Sequence, residues 1–170
     1  MDEEKRKQKT IGWPSYLVAI LMLVGIGFLF LPILGTRASD GTYVSLHSFY
    51  VYFGGLQMEV VNGVRVTFPF SFNVWFLVLL SVFVLAFLAV LFGRKTPANL
   101  TVGLFLLLAG TISLFFSPQF LALGNPSMNA ADVSYDYGLF LAVFCFVLSI
   151  LFLVILIVRS KRYWRKRRRK

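Results

Sequence analysis

Four long apolar runs constrain this chain more than any other feature. They cover residues 16–34, 74–92, 100–121 and 138–158, and none contains Asp, Glu, Lys, Arg or His. A helix crossing the hydrocarbon core of a bilayer needs about 20 such residues at 1.5 Å rise each. In a chain of 170 residues these runs leave room only for short tails and modest loops. The pattern predicts an all-α membrane protein, a bundle of four transmembrane helices. Residues 1–12 then form a cytoplasmic tail and 13–159 the membrane domain, with outer loops over 36–73 and 122–137. A basic tail spans 160–170. Composition excludes the alternatives: 58% of residues are hydrophobic, 14% are charged, and there is one cysteine. Disorder requires low hydrophobicity, and a disulfide scaffold requires several cysteines.

The basic residues set the expected orientation, because cytoplasmic loops retain Lys and Arg. With four spans, both termini and the 93–98 turn share one side, and that side collects 15 of the 17 basic residues. Arg37 and Arg65 alone fall on the other. The net charge of +10 thus separates into +12 inside and −2 outside. Both termini are expected in the cytoplasm, with the chain in a plasma membrane. Thr36-Arg37-Ala38-Ser39 mimics a signal-peptidase site, but signal h-regions run about 7–15 residues. The first run is longer, so it is expected to be a retained helix.

The first outer loop carries strand signals. Tyr43 to Phe53 is dense in aromatic and β-branched residues, which favour strands. Asn62-Gly63 is a strong hairpin signal between two apolar runs, because both turn positions need positive φ. A two- or three-stranded antiparallel sheet is expected there, pairing Val61 with Val64 and Val60 with Arg65. Such a sheet either caps the bundle or offers an edge strand to a partner. In the second loop Asn125, Asn129, Asp132 and Asp136 offer oxygen atoms, with Asp40 from the first loop. A hard cation would take such groups, but the same residues cap helices, and Asp136 stands at the start of the fourth run.

Catalytic motifs are missing from the sequence. His47, the single histidine, falls in the outer loop, and Cys145 falls within the fourth run, so the topology separates them. No metal-ligand spacing, phosphate loop or serine elbow occurs. No catalytic residue, metal or cofactor is therefore expected. Small residues recur at helical spacing instead: Gly138, Ala142, Cys145 and Ser149 on the fourth run, Ala109, Ser113 and Ser117 on the third, and a weaker set of Ala86, Ala89 and Gly93. Such stripes let membrane helices approach closely. Gly25 and Gly27 invite the same reading on the first run.

The tail Lys161, Arg162, Tyr163, Trp164, Arg165, Lys166, Arg167, Arg168, Arg169 and Lys170 directly follows the last run. Basic clusters beside a membrane attract anionic headgroups at about 1 kcal/mol per charge. Lipid is thus the expected partner, along with a membrane protein or a second copy; nucleic acid is not.

Through Phe53-Gly54-Gly55, Ser71-Phe72-Asn73 and Phe115-Phe116-Ser117-Pro118, the chain resembles a loose class of small four-helix membrane proteins of low-G+C Gram-positive bacteria. That resemblance implies a bacterial plasma membrane and no assigned activity. The long, strand-rich first loop and short second loop are also similar in layout to claudin-type tetraspans. The Trp and paired Cys of the claudin loop are absent here, so no barrier function carries across. Two functions remain as expectations: an accessory, partner-binding membrane component, or a small transport or pore-forming component of the holin kind.

Overall fold

The computed structural model describes residues 2–37, 41–93 and 97–167, with side chains over 14–37, 41–92 and 97–160. Four long helices dominate: α1 (Asp2–Phe28), α3 (Val74–Gly93), α4 (Pro97–Leu114) and α6 (Tyr137–Arg167). They pack side by side in the cyclic order α1–α3–α4–α6. Between α1 and α3 lie strands β1 (Leu34–Arg37) and β2 (Tyr43–Leu46), helix α2 (Ser48–Phe53), and strands β3 (Gly55–Val61) and β4 (Val64–Phe70). Between α4 and α6 lie α5 (Ser117–Gly124), a 3₁₀ turn (Ala130–Asp132) and β5 (Val133–Tyr135).

Among the described residues, three helices are long and apolar enough to cross a membrane, over Val74–Phe92, Pro97–Leu114 and Tyr137–Ser160. The apolar part of α1, Pro14–Phe28, is shorter. The predicted first helix over 16–34 therefore ends six residues early, at Phe28. Pro32 accounts for this. Its ring would strike the carbonyl of residue 28 and it has no N–H to donate, so the helix cannot continue through it.

Unwinding an apolar segment strands its carbonyls, which must find donors when water is absent. Four donors from elsewhere in the chain meet them. Tyr52 Oη–H donates to Leu29 O at 2.7 Å, and Ser48 Oγ–H donates to Leu31 O. The amides of Gly138 and Asp136 donate to Pro32 O and Ile33 O, each at 2.9 Å. The start of α6 is thereby fastened to the end of α1.

The same device divides the third predicted helix, 100–121. Pro118 stops it, and α4 ends at Leu114 before α5 begins at Ser117. Two i→i−3 bonds tighten the turn, Phe115 N to Ile112 O and Phe116 N to Ser113 O. Tyr135 Oη–H donates to the freed carbonyl of Phe115 at 2.5 Å.

The strand predicted over 43–53 also divides, with β2 ending at Leu46 and 48–53 turning helical. Tertiary burial overrides β-propensity there. Ser48, Val51 and Tyr52 are buried at i, i+3 and i+4 spacing, which a helix aims to one side and a strand would not. Burial pushes the Tyr52 phenol above its ordinary value of 10, so folding favours its protonated form. Its stabilising share is whole below pH 10 and declines as pH rises beyond, where the unfolded chain ionises and the folded one resists. Tyr52→Phe is expected to cost about 1 kcal/mol at neutral pH, the net worth of one hydrogen bond. It should also flatten the alkaline loss of stability, as read from thermal melts in detergent between pH 7 and 11.

In place of one small sheet there are two. β2-β1-β5 is an antiparallel three-stranded sheet whose third strand comes from the second loop, and β3-β4 is a separate hairpin. The hairpin follows the predicted register, with Val61 opposite Val64 and Val60 opposite Arg65. Asn62 and Gly63 take φ of 50° and 81°, as that turn demands.

The core runs the length of the helices. At its centre Phe83 of α3 and Phe146 of α6 stack, with ring centroids 4.2 Å apart and planes inclined by 11°. Gly25 of α1 and Gly110 of α4 flank that pair: a Cβ at Gly25 would lie 2.6 Å from the Phe146 ring, and one at Gly110 2.9 Å from Phe83.

Candidate functional site

The hairpin β3–β4 presents the most distinctive surface. Its strands alternate, so residues 56, 58 and 60 share one face with 65, 67 and 69, while 57, 59 and 61 share the other with 66, 68 and 70. An amphipathic strand normally turns its apolar residues inward. β3 does the reverse. Gln57 is 1% exposed, whereas Leu56, Met58 and Val60 are 55%, 66% and 68% exposed.

The buried amide explains the reversal. β2 is an edge strand, and the Gln57 side chain supplies what a neighbouring strand would otherwise supply. His47 N donates to Gln57 Oε1 at 2.9 Å, and Gln57 Nε2 donates to Ser45 O at 2.8 Å. The same nitrogen reaches Glu59 Oε1 at 3.1 Å, and His47 Nε2 lies 3.6 Å from that oxygen. The inner face is completed by Val61 and Phe70, both buried. With Gln57 turned inward, Leu56, Met58 and Val60 face outward, and Val61 alone of the apolar side chains of β3 stays buried. Beside the hairpin, Phe49 and Phe53 of α2 pack together at 5.1 Å between ring centroids and are themselves exposed.

No protein-family model matches the chain, and no curated protein matches it.

Of the loop side chains considered for a cation, Asn125, Asn129 and Asp136 each meet a backbone amide through one oxygen, and Asp136 Oδ2 is buried without a hydrogen bond among the described residues. Asn125 is buried, and its Oδ1 accepts from Ser71 N at 2.6 Å. Asn129 Oδ1 accepts from Ala131 N at 3.2 Å, and Asp136 Oδ1 accepts from Tyr137 N at 2.7 Å, opening α6. Asp132 is exposed, and Asp40 lies outside the described residues. Among the described residues, no group of three or more His, Cys, Asp or Glu side chains could hold a metal ion. Burial pushes the Tyr43 phenol up; the nearby Asp136 carboxylate adds to the rise and a hydrogen bond with Ser134 opposes it. His47 is exposed at the start of α2, and Cys145 is buried within α6.

Asn73 enters the sequence reading only as the end of Ser71-Phe72-Asn73, with no role of its own. It is fully buried, its Nδ2 donates to Phe120 O at 2.8 Å, and its Oδ1 accepts from Trp75 N at 3.1 Å. One side chain thus caps α3 and ties it to α5, and Gly124 leaves the space it fills. The signal was an Asn immediately before an apolar run. Asn73→Ala is expected to cost about 2 kcal/mol, combining a lost cap with an unsatisfied buried carbonyl. A lowered unfolding midpoint, against an unchanged one for the exposed Phe72→Ala, would check it.

The small-residue stripes have unequal placements. Gly138, Ala142, Cys145 and Ser149 are all buried on α6. On α4 and α5, Ala109 is exposed and Ser113 half-buried, while Ser117 is buried. Close approach on α4 comes instead at Gly103, whose Cβ would lie 2.8 Å from Val90, and at Gly110. Ala86 is buried against that contact, Ala89 is half-buried, and the side-chain position of residue 93 is outside the described set. Gly25 packs on Phe146, but Gly27 has nothing within 4 Å of its Cβ position. The tail residues Lys161, Arg162, Trp164, Arg165, Lys166 and Arg167 continue the backbone of α6. Their side chains, and Arg168, Arg169 and Lys170 entirely, lie outside the described residues.

Proposed function

We propose that this chain is a polytopic plasma-membrane protein that acts without catalysis, as an accessory component binding a membrane-protein partner through the outward face of β3. The observation that carries the reading is the reversed hairpin, with Leu56, Met58 and Val60 each more than half exposed. An apolar row held outward by a buried amide, bordered by the exposed Thr67 and Arg65, suits an interaction surface, since exposed apolar patches rimmed by polar residues mark such sites.

In this reading all four long helices cross the bilayer. The 15 residues of Pro14–Phe28 span about 22 Å as helix, against roughly 30 Å of hydrocarbon. The unwound segment that follows makes up the difference, with the carbonyls of Leu29, Leu31, Pro32 and Ile33 satisfied as described. Fifteen of 17 basic residues then lie at the cytoplasmic side, with both termini. The basic tail meets anionic headgroups. A reporter fused after Lys170 should be active only in a cytoplasmic format; activity in an extracellular format would overturn the orientation.

Two buried hydroxyls within the long helices favour this reading over a pore. Thr111 and Ser149 are buried in α4 and α6, but each hydroxyl donates within its own helix, to Leu107 O at 2.7 Å and Cys145 O at 2.8 Å. They contribute no polar stripe to a channel.

Photo-crosslinking from Met58 in native membranes tests the proposal. A discrete adduct with a second protein is expected from Met58 and not from Phe144, an exposed position on α6. The adduct should vanish in a Leu56→Ser, Val60→Ser variant of unchanged melting temperature. Adducts of the chain with itself alone, or dye release from liposomes holding the purified protein, would count against it.

A further inference from the structure

At the end of α6 where the apolar span gives way to basic residues, α1 and α6 leave a groove of about 270 Å³ between them. It is lined by Pro14, Leu17, Phe152, Ile155, Leu156 and Arg159. Leu156 is buried and forms its floor, while Leu17, Phe152 and Ile155 are partly exposed along its walls. The volume falls below the roughly 300–1,000 Å³ typical of small-molecule pockets. The lining has a direction. From Phe152 to Arg159 is about two helical turns, near 10 Å, apolar throughout except for the guanidinium at its end.

A narrow apolar trough ending in one cation is complementary to an amphiphile with a hydrocarbon chain and an anionic head. Arginine presents a planar fork of donors that matches two phosphate oxygens at once. Its place at the membrane-water boundary of α6 sets it at headgroup depth, and the basic residues that follow favour a head of net negative charge over a zwitterion. We propose that this groove is a binding site for one chain of an anionic phospholipid, with the phosphate on Arg159. The inference rests on the membrane reading above. It differs from diffuse attraction by the tail in naming one position and one stoichiometry.

Native mass spectrometry of the full chain, released from detergent after addition of phosphatidylglycerol or of phosphatidylcholine with the same chains, tests it. The expected result is a single retained phosphatidylglycerol in preference to phosphatidylcholine. Arg159→Gln should lower its retention about fivefold, the worth of one charge near the surface. Leu17→Trp, which fills the trough and leaves every charge in place, should lower retention of both lipids. Equal retention of the two lipids by the unaltered chain would overturn the proposal. So would an Arg159→Gln loss no larger than that of Arg37→Gln, a change outside the groove. Release of the chain from membranes by alkaline carbonate would remove the membrane reading and the groove with it. Lipid indifference in a chain that stays in the membrane removes the groove alone.

Discussion

Gly138→Val is expected to lower stability by about 3 kcal/mol, the upper part of the usual range for an overpacked core. A Cβ at this position would lie 2.5 Å from Pro32 O and 3.0 Å from the Leu31 Cβ. The obstacle is backbone, and that backbone is held by the Gly138 amide itself, which donates to Pro32 O at 2.9 Å. Neither side can yield without breaking the bond that closes the unwound end of α1. Gly27→Val is the matched control, since nothing lies within 4 Å of its Cβ position; most surface substitutions stay within about 0.5 kcal/mol. Unfolding of the purified protein in mild detergent, followed by circular dichroism, reads both. Equal melting points for the two variants would show that the Pro32–Gly138 fastening contributes nothing.

The second large effect concerns the stacked rings. Phe146→Ala removes a fully buried ring from between α3 and α1, and the expected cost is about 3 kcal/mol. In the proposed membrane setting the lower part of the range for such truncations applies, because lipid removes the hydrophobic share of the driving force and leaves packing. Gly25→Ala alone should cost about 2 kcal/mol, since its methyl would enter the Phe146 ring edge at 2.6 Å. Combining Gly25→Ala with Phe146→Leu is the decisive arm. If the two helices meet through this contact, the smaller side chain relieves the clash and the double variant is more stable than the sum of its parts predicts. Strict additivity would mean that α1 and α6 do not meet there.

The residues that misled sequence reasoning did so for identifiable reasons. Ser48-Phe49-Tyr50-Val51-Tyr52-Phe53 has strong β-propensity, yet a helix is what brings Ser48 and Tyr52 together under the open carbonyls of Leu31 and Leu29. Those carbonyls are open only because Pro32 ends α1, and the partner that uses them lies about 20 residues away. Leu56, Met58 and Val60 share their face with Arg65 and Thr67, so the sequence marks neither face of the hairpin as the inner one. The inward face is set by β2, which needs the Gln57 amide. Ala109 and Ser113 have the spacing of a packing stripe, but spacing does not say which face of α4 meets α3. Gly103 and Gly110 occupy that face.

By itself the sequence determined what depends on local chemistry and on the solvent. Apolar runs free of charge point to helices that cross a membrane; of the four read from the sequence, three are long and apolar enough among the described residues. Asn62-Gly63 forces its own turn and therefore the register of β3 on β4, because register needs only the two flanking strands. Whatever depends on distant partners was decided by the tertiary structure: what meets the carbonyls that Pro32 frees after α1, which strand joins β1, and which face of the hairpin looks outward. Each of these is settled by a backbone group left unpaired in one segment and satisfied from another, and no local pattern records that pairing.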